Sequence, residues 1–162
     1  MKRVKSPYKR ILLTLDGSPL AEQALPYAIA QAKRFRAELV LLKIIPPLLE
    51  ARSPAAEVLA NTSAREELQS AAIEAEAYGV HVEIVIRESG GGRGVYPHII
   101  KYAARNDIDL IVMCSRGHGG FSRWLLGSTA DRVVRGATVP VLLVQAKGKS
   151  NDFEDDFEDD FE

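Results

Sequence analysis

Between Ile111 and Ser128 the chain reads Ile-Val-Met-Cys-Ser-Arg-Gly-His-Gly-Gly-Phe-Ser-Arg-Trp-Leu-Leu-Gly-Ser. An apolar run gives way to Gly117, Gly119 and Gly120, and Gly127-Ser128 then opens a helical pattern. Strand, glycine loop and helix N-terminus together make an anion site. The first N–H groups of a helix have no intrahelical partner, its dipole favours negative charge, and glycine lets backbone come close. Phosphate suits this chemistry, and an adenine nucleotide is its expected owner. Ser128 can cap the helix or bond a phosphate. Arg116 and His118 flank the loop and either neutralise phosphate or stay in water. Asp16 ends a second apolar run. A carboxylate there can accept from a ribose hydroxyl pair, hold a metal, or bond the backbone of its own turn.

Other chemistries lack their residues. No Gly-Lys-Ser/Thr closes the loop, so it is not a P-loop, and no Gly-x-Gly-x-x-Gly follows the first strand. His81, His98 and His118 lack metal-ligand spacing with Cys114, so no zinc site is expected. A hydrolase elbow, Gly-x-Ser-x-Gly, is missing. A phospho-acceptor domain would want paired acids after the first strand, where Asp16 stands alone. No base is evident to activate water, so turnover should be slow at most.

The elements that must position these residues alternate. Arg10 to Asp16 reads as a strand covered on both faces, because its apolar run is nearly continuous. Gly17-Ser18-Pro19 turns the chain, with Ser18 as N-cap and Pro19 first in a helix to about Arg36. Leu20, Ala24, Tyr27, Ala28 and Ala32 recur at helical spacing there. Glu38 to Ile45 is the second strand, Ala55 to Tyr78 a helix ended by Gly79, and Val80 to Arg87 the third strand. Ser89 to Gly94 reads as a linker despite its glycines. Tyr96 to Asn106 is a helix and Asp109 to Met113 the fourth strand. Gly127 to Arg135 is a helix closed by Gly136, and Val139 to Val144 the fifth strand. This alternation predicts an α/β fold: a doubly wound, five-stranded parallel sheet of order 3-2-1-4-5 with helices on both faces. Its switch point would lie between strands one and four, where Asp16 and the 113–117 stretch end their strands.

The chain divides into a basic arm (1–8), one α/β domain (9–146) and an acidic tail (147–162). Of 22 acids, eight lie between Asp152 and Glu162, leaving 14 against 21 Lys and Arg elsewhere. A basic body suits an anionic partner: a nucleotide, a nucleic acid or the tail itself. Residues 151–162 repeat every four positions and carry Phe153, Phe157 and Phe161. The tail reads as disordered and solubilising; the sharper alternative is that it docks on the basic body or competes with an anionic ligand. One cysteine, Cys114, precludes an internal disulfide and reads as a buried, inert thiol. The apolar run at Ile11–Leu15 is too short for a signal core and nothing approaches a membrane span, so a cytoplasmic location is expected.

Over residues 8–146 the sequence resembles the universal stress proteins. Gly117, nine residues, then Gly127-Ser128 match the second half of the Gly-x2-Gly-x9-Gly-Ser/Thr pattern of that family's nucleotide-binding members. Asp109 to Met113 and Val139 to Val144 look like the flanking strands. Cys114 stands where the pattern has its first glycine. The resemblance implies that Asp16 holds the ribose and that Ile44 meets adenine through its backbone. Met113 and Cys114 would line base and sugar. Gly117, Gly127, Ser128 and Thr129 would hold the phosphates of ATP, with Mg²⁺ accompanying the triphosphate. It also implies a homodimer paired through Val139 to Val144, and no nucleic-acid or membrane partner. The function implied is ATP binding in stress regulation with little or no turnover. The alternatives are a dimeric interaction module that binds no nucleotide, and a slow ATP hydrolase or phosphotransferase.

Overall fold

The computed structural model describes residues 6–45, 54–90, 94–116 and 126–147. Its elements in chain order are β1 (Arg10–Thr14), α1 (Pro19–Glu22), α2 (Leu25–Phe35), β2 (Glu38–Ile45), α3 (Pro54–Ala77), β3 (Val82–Glu88), α4 (Tyr96–Arg105), β4 (Leu110–Cys114), α5 (Ser128–Gly136) and β5 (Val141–Val144). All strand pairs are parallel and the order is β3-β2-β1-β4-β5, as the alternation predicts.

Successive strand residues serve opposite cores, as the two-residue period demands. Ile11, Leu13, Leu39, Leu41 and Val112 pack against α1, α2 and α3. Leu12, Val40, Leu42, Ile111 and Met113 pack against α4 and α5. Ile11, Leu12 and Leu13 are fully buried. Each such side chain gains about 1.5–3 kcal/mol from leaving water, so the central strands anchor both layers. The helices on the first face present mostly alanine, namely Ala21, Ala24, Ala28, Ala32, Ala72 and Ala75.

The first helix departs from expectation. Instead of one helix to Arg36 there are two, α1 and α2, with Pro26 in the first turn of the second. Proline has no N–H to give and its ring clashes with the carbonyl four residues back, so a continuous helix cannot pass through it. The break turns Tyr27, expected on the apolar face, out to 53% exposure, while Leu25 and Ile29 are buried. Smaller shifts are at strand ends: β1 stops at Thr14 rather than Asp16, β3 runs Val82–Glu88 and β5 begins at Val141. Gly79, at φ 78°, ends α3 as expected, and its N–H bonds the Glu76 carbonyl. Tyr8, within the stretch read as an arm, packs edge-on against Phe35 with ring centroids 4.9 Å apart. Of the tail, only Lys147 is among the described residues.

The end of the sheet where its strands begin is tied by polar bonds. Arg10 reaches Glu38 (2.7 Å), Glu83 and the Asn106 carbonyl (2.7 Å). Asp109 accepts from the N–H groups of Lys9 and Arg10 at 2.8 and 3.0 Å. The hydrogen bond to Glu38, aided by the charge of Glu83, lifts the Arg10 guanidinium above its ordinary value against the cost of burial. Tyr102, on α4, is also raised above its ordinary 10.0, first by burial and then by Glu83. A phenol raised in the folded state keeps its stabilising contribution below the unfolded value and loses it as pH climbs past that value. Urea unfolding should therefore show stability falling as pH rises past the ordinary 10.0, with a shallower fall in Tyr102→Phe. Equal slopes in the two proteins would exclude this tyrosine as the source.

Candidate nucleotide site

The connection after β1 enters α1 on one face of the sheet, and that before α5 leaves β4 for the other. Neighbouring strands whose connections diverge leave a crevice at their carboxyl ends. The β1–β4 boundary is that switch point.

Backbone direction fills in the crevice. In a parallel ladder, alternate residues direct both N–H and C=O to one neighbour. On β2, Glu38 donates to Lys9 and Leu42 accepts from Leu15, so even-numbered residues face β1. Leu39 donates to His81 and Ile45 accepts from Ser89, so odd-numbered residues face β3. Ile44 therefore directs its backbone toward β1, past the last ladder bond, Leu15 N–H to Leu42 C=O at 3.0 Å. On β4, Ile111 and Ser115 donate to Pro140 and Val144 of the β5 side. Cys114 thus directs its backbone toward β1, past the last pair, Leu13 with Val112. The main-chain groups of Ile44 and Cys114 converge on the gap over the end of β1.

The Asp16–Ser18 turn leaves from that gap. Gly17 has φ 84°, a conformation that glycine adopts without strain. Asp16 Oδ1 accepts from the Ser18 N–H at 2.8 Å and from Ser18 Oγ at 2.6 Å. Ser18 Oγ in turn accepts from Ala21 N–H at 3.1 Å, the N-cap expected of it. Asp16 is therefore a turn aspartate, and this does not exhaust it, since a carboxylate has about four acceptor positions.

Opposite this turn, Gly127 returns the chain to β4. Its N–H donates to the Ser115 carbonyl at 2.8 Å, and a Cβ there would sit 3.0 Å from that oxygen. The cap position of α5 is Gly127, without a side-chain cap bond. Of the two roles open to Ser128, it does not take that of cap: it is the first residue of the helix, and exposed. Thr129 is half-buried in the same turn. A first turn whose N–H groups no side chain caps offers them to an anion. Asp131 in that turn opposes this, and it is engaged by Arg135 at 2.9 Å.

Met113 is buried on the α4–α5 face, and Ile44 packs half-buried on that same face. Cys114 is buried among the residues packed by α1 and α2. Among the described non-glycine residues only Arg36 and Asp107 have positive φ, so Cys114 sits in ordinary extended backbone. Gly117 and His118 lie outside the described residues. Among the described residues no cluster of three or more His, Cys, Asp and Glu could hold a metal, and no helix is long and apolar enough to cross a membrane. Sequence reasoning missed Lys43 and Glu67, which pair beside Gly17. A lysine near the end of the apolar run Leu39–Ile45 was the available signal. A separate groove of about 750 Å³ follows edge strand β3 under α3, with Arg65, Glu66, Glu83 and Arg87 in its lining. It lies two strands from the switch point and mixes charges of both signs, which does not select an anion.

Fold and crevice define an open, doubly wound α/β protein with a crevice at its switch point. Residues 7–145 match the universal stress protein family. The chain belongs to that family. It is 32% identical over 148 residues to universal stress protein MJ0531 of Methanocaldococcus jannaschii, covering 88% of this chain and 85% of the relative. The solved structure of hypothetical protein MJ0577 superposes with a TM-score of 0.75 at 28% identity, covering 87% and 98% of the two chains. The universal stress protein of Archaeoglobus fulgidus in complex with dAMP shares the fold, with a TM-score of 0.65, 22% identity and coverage of 84% and 97%.

The close approach at Gly127 is testable. Its φ of −57° suits any residue, so the cost of a side chain there is steric. Gly127→Val should lower unfolding free energy in urea by about 1–3 kcal/mol through displacement of the Ser115–Arg116 backbone. A variant as stable as the native protein would show that the approach is loose.

Proposed function

We propose that the protein is a cytoplasmic, homodimeric regulator of the stress response that binds ATP with Mg²⁺ and turns it over slowly or not at all. The observation that carries the reading is convergence: the backbones of Ile44 and Cys114, the Asp16 turn and the α5 N-terminus all meet at one switch point. Main-chain donor and acceptor groups at Ile44 suit the edge of adenine. Asp16 suits the ribose hydroxyls, and Met113 and Cys114 border base and sugar. Gly117, Gly127, Ser128 and Thr129 take the phosphates. Cys114 stands at the first glycine of the family pattern, and its buried side chain in extended backbone is compatible with a ligand that meets only the main chain there. The dAMP complex of the Archaeoglobus relative supports an adenine nucleotide as the ligand class. Mg²⁺ keeps several waters and takes phosphate oxygens with one or two carboxylates, so it needs no cage of protein ligands.

The dimer would form through β5. It is an edge strand of the sequence Val-Leu-Leu-Val, with Val141, Leu142 and Leu143 half-buried. An apolar edge without a charge invites pairing with a second copy.

Calorimetric titration of the full chain with ATP and Mg²⁺ tests the nucleotide. Binding is expected, with Asp16→Ala weakening it by about tenfold or more, the worth of hydrogen bonds to a charged group. No heat and no thermal shift at millimolar nucleotide would end the proposal. Phosphate release on the same sample should be negligible over hours. Light scattering should give twice the monomer mass at several concentrations; a monomer throughout would remove the β5 interface.

A further inference from the structure

We propose that the Lys43–Glu67 ion pair is a brace that holds the Asp16–Ser18 turn in its ligand-competent form, making both residues positioning residues for ribose recognition. The inference rests on the nucleotide reading for its ligand and on geometry for the brace. Lys43 is the residue after Leu42, whose carbonyl ends the β1–β2 ladder. It projects to the face opposite Ile44, the face covered by α1, α2 and α3. There its ammonium pairs with Glu67 of α3. The lysine side chain is only 13% exposed and the glutamate 43%.

The pair lies against the tip of the turn. A Cβ on Gly17 would come within 2.5 Å of Glu67 Oε2 and 2.9 Å of Lys43 Nζ. The charged ends of the pair thus lie directly against Gly17, where a side chain would have to displace them. This contact and the two Ser18 bonds to Asp16 together confine the turn. The lysine is largely buried while the glutamate is open to water, so the pair itself adds only modest stability. Its placement beside the one left-handed glycine of the β1–α1 turn gives the pair a geometric task. From that position it fixes the main chain from which Asp16 projects, without touching the ligand.

The test uses the full chain with Lys43→Met, Glu67→Gln and the double variant. Hydrogen exchange of the amides of residues 16–18 is measured without ligand. Affinity is measured for AMP and for 2′,3′-dideoxy-AMP, which lacks the hydroxyls Asp16 would read. The expected result is faster exchange at 16–18 in each variant, with other core amides unchanged. AMP affinity should fall about tenfold while dideoxy-AMP affinity stays level, and the double variant should match the singles, as coupled partners do. Unchanged exchange at 16–18 overturns the brace, whether or not nucleotides bind. Equal losses for the two ligands with a general rise in exchange overturn the positioning role and leave an ordinary stabilising pair. If the native protein binds neither nucleotide, the proposed function falls, and the exchange result alone decides the brace.

Discussion

The central strand ends early, and the rest of the site depends on that. β1 stops at Thr14, while β2 continues to Ile45 and β4 to Cys114. A central strand that stops before both of its neighbours leaves a notch whose walls are main chain. The backbone polar groups of Ile44 and Cys114 face that notch beyond the last paired residues of β1. The early stop has a local cause. Gly17 at φ 84° and Ser18-Pro19 as cap and first helical residue commit the chain to leave the sheet immediately after Asp16.

The two ends of the sheet are built on opposite principles. Where the strands begin, polar groups find fixed partners: Arg10 spans β1, β2 and β3, and Asp109 binds two backbone N–H groups. Where the strands end, main chain points into a notch and α5 is preceded by a cap residue, Gly127, that has no side chain. Burial of Leu12, Leu13, Val40, Ile111 and Val112 between these ends supplies the apolar stabilisation that lets one end stay open. The extension after β5 helps fix the open end. Ala146 donates to Ser115 Oγ at 3.2 Å, and Lys147 exchanges two bonds with Gln23.

Much of this was legible in the residues. The limits of β2, the strand order and the Ser18 cap followed from apolar runs, alternation and turn chemistry. The split of the first helix is readable at Pro26, whose missing N–H overrides the apolar stripe that runs through Tyr27. Of the two roles open to Ser128, the cap is the one the structure does not show, because a serine at a helix start resembles a cap and only backbone angles give that position to Gly127. The Lys43–Glu67 pair was out of reach for a different reason. Its members are separated by 24 positions and belong to elements whose relative rotation no local pattern encodes.

Cys114 shows how register changes the meaning of a substitution. Read as a letter in a motif, a cysteine in place of glycine threatens to fill the pocket. Read in the sheet, its position separates two quantities that the letter merges. Parity along β4 sends its side chain toward α1 and α2, into the core that also holds Leu13 and Val112. The same parity sends its N–H and C=O toward the notch over β1. Side chain and main chain of one residue thus serve different parts of the protein. With no positive φ to demand glycine, the choice of side chain at 114 is governed by packing on the helical face. What a ligand in the notch would meet at this position is backbone, which every residue but proline supplies alike.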